Sequence, residues 1–180
     1  MRLYRVFPWD PSAAMDRPGG ALFIPRSSTG SFDNPDLFQG LYCAASPEAA
    51  IGERFARLRA WRPATFQNAK ATFALATIDT QDLALADLGH VPTLTKLGIQ
   101  RVTDVVTRDR AVSQPVAARA YHLGAAHGLS WWSAYVADWT NVLLWDTTRL
   151  ALVGQPEPLS VAHPAVAASA DTLPRSVVLR

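Results

Sequence analysis

Four polar side chains stand out because their local surroundings are apolar or small. They are Arg5 in an apolar amino-terminal segment, Tyr42 in a short apolar run, Glu53 on a helical face of small residues, and Ser133 directly after two tryptophans. A guanidinium binds anions through paired hydrogen bonds, and a carboxylate stabilises positive charge that develops during a reaction. Taken singly, each residue also fits a structural role: an edge-strand charge, a core aromatic, a solvated helix residue or a turn.

The motifs of the common enzyme classes are missing from the sequence. It contains no glycine-rich phosphate loop, nucleophile elbow, HExxH helix or doubly wound dinucleotide fingerprint. The four histidines, at positions 90, 122, 127 and 163, lack the spacing of metal ligands. Cys43 is the only cysteine, which excludes an intramolecular disulfide and a cysteine zinc cluster within one chain. We therefore expect no metal site.

The four polar residues lie on or beside predicted elements. These elements are strands at 2–7, 41–44 and 129–132 and a helix from 47 to about 60. The helix start is well defined, because Ser46 is a suitable N-cap and is followed by a proline and an acid. Further strands are predicted at 21–24, 71–78 and 142–145, and further helices at 92–97, 113–126 and 164–170. The loop 25–40 is long and polar, which is typical of a functional loop.

Length, composition and charge favour one compact domain. A chain of 180 residues, 49% of them hydrophobic, can bury a substantial core, and we expect a main body at 1–155 with residues 156–180 packed on it. The basic residues are scattered along the chain, which argues against nucleic acid as a partner. No apolar run has the length of a signal peptide or of a membrane span, which predicts a cytoplasmic protein without a membrane partner. Whether the protein forms a homo-oligomer is left open by the sequence.

Three segments together resemble the RES family, named for an arginine, a glutamate and a serine. They are RLYRVFP at 2–8, GSFDNPDLFQGLYCAASPEAAIGERFA at 30–56 and HGLSWWSAYVADWTNVLLWD at 127–146. The most specific parts are the tyrosine strand followed by Ala-Ser-Pro-Glu-Ala-Ala and a glutamate, and the Gly-Leu-x-Trp-Trp-Ser sequence with Asn141 after it. The resemblance spans most of the chain, from residue 2 to residue 146.

The resemblance implies an α+β domain related to the ADP-ribosyltransferases, with central mixed or antiparallel sheets and flanking helices. It further implies a toxin that cleaves the nicotinamide–ribose bond of NAD by hydrolysis or phosphorolysis, with NAD as a consumed substrate and no resident cofactor. Proteins of this family are commonly encoded beside an Xre-type antitoxin, which is therefore an expected partner. By this match Glu53 and Ser133 are the expected catalytic residues, Arg5 is expected to bind the pyrophosphate, and Tyr42 to offer its ring to nicotinamide.

One position departs from the family pattern. The name-giving arginine stands in a Gly-Arg-aromatic-or-His-Asp/Asn stretch, and here Ser31 takes its place between Gly30 and Phe32. Arg26, five residues upstream in the same loop, is one candidate to supply the missing charge. Two alternatives stay open: the pocket binds a less negative ligand, or the protein is a catalytically weakened or inactive relative that acts as a binding module. An unrelated enzyme or interaction protein is a further alternative, because a fold does not fix a function.

Overall fold

A computed structural model describes residues 1–179. Its strands are β1 (Arg2–Trp9), β2 (Leu41–Ala44), β3 (Ala60–Trp61), β4 (Gln67–Asn68), β5 (Ala71–Thr80), β6 (Leu85–Asp87), β7 (Gly128–Trp132), β8 (Thr140–Leu144), β9 (Leu150–Leu152), β10 (Glu157–Pro158) and β11 (Ser176–Val177). Its helices are α1 (Pro47–Phe55), α2 (Pro63–Phe66), α3 (Val91–Lys96), α4 (Arg110–His122) and α5 (Pro164–Thr172), with a 3-10 turn at Val102–Asp104.

The strands form one large mixed sheet and one small pair. The large sheet has the order β10-β5-β1-β2-β8-β7-β6, with β4 and β9 also paired to β5. Within it β6 and β7 are parallel and the other neighbours are antiparallel. The short strands β3 and β11 pair in parallel. The predicted α+β class with a mixed central sheet is therefore confirmed.

The sheet has a gap between β1 and β2. β1 pairs with β5 along its whole length, from Arg2 opposite Asp79 to Trp9 opposite Thr72. It pairs with β2 at one position, Tyr4 opposite Ala44. Beyond that position the two strands diverge, so side chains from both faces of β1 and β2 reach the opening between them.

Helix α1 is fixed by capping at both ends. At its start the Ser46 side chain accepts a hydrogen bond from the backbone N–H of Ala49 at 3.1 Å, as the sequence predicts. The helix ends at Phe55, so the predicted end near residue 60 is wrong. The reason is that side chains cap the carboxyl end: Arg175 donates to the carbonyl of Ala56, and Trp61 Nε1 donates to that of Phe55.

The predicted strand at 21–24 is also wrong. The carbonyl oxygens of Ala21 and Phe23 accept hydrogen bonds from the guanidinium of Arg5, and no ladder forms there. A side chain thus replaces the strand partner that the local pattern predicted. The other predicted elements are present with ends shifted by a few residues; α4, for example, begins earlier because Asp109 accepts from the backbone N–H of Ala111.

The carboxyl-terminal residues contact the body through α5 and β11. Val166 and Ala170 of α5 are buried in one apolar cluster with Ala49 and Ile51 of α1. This contact holds α1 against the sheet from its outer side, which fixes the helix that carries Glu53. Across residues 1–179, none of the helices combines the length and apolarity that a membrane crossing needs.

Candidate functional site

A cleft of about 830 Å³ opens at the gap between β1 and β2. Its walls come from both strands, from α1, from the loop around residues 18–31, from residues 105–108 and from the start of the β7–β8 connection. Of the predicted site residues, Arg5, Ser31, Tyr42 and Glu53 line the cleft, whereas Arg26 and Ser133 do not. A smaller pocket of about 230 Å³ adjoins it and shares the side chains of Arg5 and Tyr42.

Glu53 is held by an asparagine from the sheet. Asn141 lies in β8 between Ala44 of β2 and Trp131 of β7, and it is buried. Its Nδ2 donates to Glu53 Oε1 at 2.9 Å. The carboxylate is thereby held in one orientation in the lining of the cleft, and Glu53 is the only acidic side chain among the cleft residues of the described chain.

Tyr42 is a neutral aromatic wall of the cleft. Its ring lies edge-to-face with Trp131 at a centroid distance of 6.3 Å, and its hydroxyl accepts from the backbone N–H of Phe32 at 3.1 Å. Burial, together with the nearby carboxylate of Asp33, raises the pKa of the Tyr42 phenol far above its usual range. The side chain therefore stays protonated and offers a ring face and a hydroxyl rather than a charge.

Arg5 serves the fold as well as the cleft. Its two terminal nitrogens donate to the carbonyls of Ala21 and Phe23, the second at 2.8 Å, and so hold the loop that borders the cleft. Burial is the main cause that lowers the pKa of Arg5, and the charge of Arg54 lowers it further. These two contacts use two of the five N–H donors of its guanidinium.

Ser31 lies on a loop that is anchored to α4. Arg110 Nε donates to the carbonyl of Thr29 at 2.8 Å, and Gln114 Nε2 donates to that of Gly30 at 3.3 Å. The hydroxyl of Ser113 donates to the carbonyl of Ser31. These contacts fix the loop through its backbone, so the Ser31 side chain is free to face the cleft.

Ser133 is buried next to the cleft rather than in it. Its hydroxyl oxygen accepts from the backbone N–H of Tyr135 at 2.9 Å and from that of Val136 at 3.3 Å. Only 3% of the residue is exposed. In this position Ser133 shapes the connection that places Ala134 and Tyr135 on the cleft wall.

Arg26 is directed elsewhere. Its Nη2 lies 2.9 Å from Oδ1 of Asp36, and both side chains are largely exposed, at 69% and 90%. The cations that do join Arg5 in the cleft are Arg54, Arg57 and Arg108. No sequence pattern marks Arg108, which lies in an irregular segment, and Arg54 is marked only as the neighbour of Glu53. Within residues 1–179, no group of three or more potential metal-binding side chains is assembled.

The RES domain family model matches residues 2–168, nearly the whole chain. The chain belongs to the RES domain family. Among solved structures, a chain in the crystal structure of the M. tuberculosis MbcT–MbcA toxin–antitoxin complex has the same fold, with a TM-score of 0.63 and 21% sequence identity over 96% of this chain and 88% of that one. No curated protein matches the sequence significantly. The predicted membership of the RES family is therefore confirmed.

The RES domain of this protein thus presents one oriented carboxylate, a neutral aromatic ring and an excess of cations in a single cleft. A carboxylate in such a place stabilises positive charge on a bound ligand, whereas the arginines favour negative groups. The arrangement fits a ligand that carries negative groups in one part and positive charge in another.

Proposed function

We propose that this protein cleaves the bond between nicotinamide and ribose in NAD, with water or phosphate as the acceptor. The observation that carries the proposal is the Asn141–Glu53 hydrogen bond in a cleft whose other charged residues, among those described, are arginines. NAD has a matching division of charge, because its diphosphate is negative and its reacting sugar becomes positive as the bond breaks.

In the proposed reaction nicotinamide leaves with the bonding electron pair and becomes neutral. The ribose then carries oxocarbenium-like positive charge, which the Glu53 carboxylate stabilises. The acceptor oxygen forms the new bond to the sugar, and its proton, if it has one to lose, passes to solvent. Tyr42 supplies an uncharged ring surface for nicotinamide. NAD is consumed in this scheme, so no resident cofactor is needed.

The experiment measures nicotinamide release from NAD by purified protein, with and without inorganic phosphate. Glu53→Gln keeps the shape of the side chain and removes its charge, so we expect turnover to fall by at least about 100-fold with the fold intact. Glu48→Gln is the matched control, because Glu48 is an acid in the first turn of the same helix and does not line the cleft. Equal turnover by the Glu53→Gln variant would overturn the assignment.

The biological setting is part of the same proposal. The similar solved chain comes from a complex described as toxin and antitoxin, which supports a toxin role and an antitoxin partner, of the Xre type implied by the family resemblance. The expected place of action is the cytoplasm, where NAD is available. Co-expression with the protein encoded by an adjacent gene tests this part: rescue of growth and a stable complex are expected.

A binding module without turnover is the second candidate. The observation that favours it is Ser31, since a serine cannot replace a cation on a phosphate. The two candidates differ in one measurement. A folded protein that binds ADP-ribose but releases no nicotinamide from NAD, with or without phosphate, supports the binding module.

A further inference from the structure

The cleft contains arginines whose charge is not neutralised within the protein. Among residues 1–179, four arginines and one glutamate line it, an excess of three positive charges. Of these arginines, Arg54, Arg57 and Arg108 form neither an ion pair nor a side-chain hydrogen bond with any of residues 1–179. Arginines gathered around one cavity repel each other, so their grouping is stabilised by an anion.

Arg108 and Ser31 both line the cleft. It is two residues before Arg110, whose guanidinium holds the carbonyl of Thr29, and the hydroxyl of Ser113 holds that of Ser31. The segment that carries Arg108 is therefore anchored beside the loop that carries Ser31.

Arg54 and Arg57 approach from the side of α1. The guanidinium of Arg54 lies over the ring of Phe73 of β5, 5.1 Å from its centroid. Arg57 follows the last turn of the helix and lines the cleft one helical turn beyond Glu53. Cations thus enter the cleft from two separate elements, α1 and the segment before α4.

We propose that Arg108 and Arg57 bind the two phosphates of a diphosphate-bearing ligand from these two sides, with Arg108 supplying the charge that Ser31 lacks. This inference rests on the proposed function for the identity of the ligand as a dinucleotide. Two guanidinium groups from different elements match two linked phosphates better than a single guanidinium does, because each can make a paired contact with one phosphate. Arg26 is the rival cation, but its guanidinium is paired with Asp36 and it does not line the cleft.

The test measures binding of ADP-ribose and of adenosine by titration calorimetry. Arg108→Gln and Arg57→Gln are each expected to weaken ADP-ribose binding roughly 10- to 100-fold and to leave adenosine binding unchanged. Arg59→Gln is the matched control, because Arg59 is exposed, close to Arg57 and outside the cleft. Arg26→Gln tests the rival cation. Thermal unfolding shows whether each variant is folded, and the exposed positions 57, 59 and 108 predict little change.

A second variant restores the charge from the neighbouring position. Ser31→Arg in the Arg108→Gln background is expected to recover most of the lost ADP-ribose affinity, because both positions line the cleft and the segments that carry them are hydrogen-bonded to each other. The proposal is overturned if Arg108→Gln binds ADP-ribose within about twofold of the unchanged protein, if Arg26→Gln has the larger effect, or if Ser31→Arg gives no recovery.

Binding and turnover separate this inference from the proposed function. If ADP-ribose binding depends on Arg108 while no nicotinamide is released, the phosphate site stands and the catalytic proposal fails. If nicotinamide is released and the Arg108→Gln variant has the same KM for NAD as the unchanged protein, the catalytic proposal stands and the phosphate site fails.

Discussion

Asn141 Nδ2 lies 2.9 Å from Glu53 Oε1, which joins the centre of the sheet to the helix that borders the cleft. The donor fixes one carboxylate oxygen, and Oε2 accepts no hydrogen bond from the side chains and backbone of residues 1–179. An oriented carboxylate with one free oxygen is suited to act on a ligand, because little reorganisation is needed when charge develops. Asn141 is therefore a positioning residue in the proposed reaction.

Removing the side-chain amide of Asn141 is expected to lower kcat more than it raises KM. Asn141→Ala releases Glu53 from its orientation, and we expect a fall in kcat of about 10- to 100-fold with KM changed by less than about threefold. In the Glu53→Gln background the same substitution should cause little further loss, since both changes act on one carboxylate. Steady-state kinetics of the two single variants and the double variant check this, and independent, multiplying losses would contradict it.

Ser133 is expected to affect stability and substrate affinity before chemistry. Ser133→Ala leaves the backbone N–H groups of Tyr135 and Val136 without their acceptor, which should cost about 1–2 kcal/mol of unfolding free energy. Because Tyr135 lines the cleft, KM for NAD should rise with kcat less affected. Ser160→Ala is the control, because Ser160 accepts from the N–H of Ala162 in an exposed turn. A large loss of kcat at unchanged stability would instead make Ser133 catalytic.

The features that could be predicted from the sequence are those whose interacting residues lie close together along the chain. The strand with Tyr42 and the Ser46 cap depend on neighbours within a few residues, and both are found where the pattern predicts them. The strand expected at 21–24 is replaced by contacts with Arg5, which no local pattern contains. The Asn141–Glu53 contact joins residues 88 positions apart, so only the fold brings the two together. The exposed segment with Arg108 has no periodicity that marks it.

The buried thiol of Cys43 gives a pH dependence of stability. Burial raises the pKa of Cys43 from its ordinary 9.0 to about 12. The thiol is thus neutral in the folded protein and ionises first in the unfolded chain. Its contribution to stability is complete below pH 9.0 and is lost as the pH rises from there through about 12.

Replacing Cys43 should therefore flatten the alkaline part of the stability profile. In Cys43→Ala, the slope of unfolding free energy against pH above the ordinary thiol pKa should be shallower by up to about 1.4 kcal/mol per pH unit. Urea unfolding at several pH values up to about 10.5 checks this, and slopes rather than absolute values are compared because the alanine also loses packing. Equal slopes in both proteins would show that ionisation of Cys43 does not cause the loss of stability at alkaline pH.

Gly52 supports the cleft by allowing Trp139 to pack against α1. A Cβ at Gly52 would lie 2.5 Å from Trp139 Cη2 and closer still to Cζ3. Helix propensity alone favours alanine at this position by about 1 kcal/mol. The overlap with a buried indole should outweigh that gain, because overpacking costs about 1–3 kcal/mol. We therefore expect Gly52→Ala to lower the free energy of unfolding by about 1 kcal/mol, against the direction that propensity predicts.

The effect of Gly52→Ala should also reach the cleft. The carbonyl of Trp139 accepts from the backbone N–H of Ser133 at 2.8 Å, so a shifted indole disturbs the connection that carries Tyr135. In a Trp139→Phe background the smaller ring leaves room for the Cβ, and the same substitution should then be neutral or stabilising. Unfolding free energies of the two single variants and the double variant measure this coupling. The opposite result would be a Gly52→Ala protein that retains Trp139 and is more stable than its parent. It would show that α1 moves away from the indole, so that the Gly52–Trp139 contact does not support the cleft.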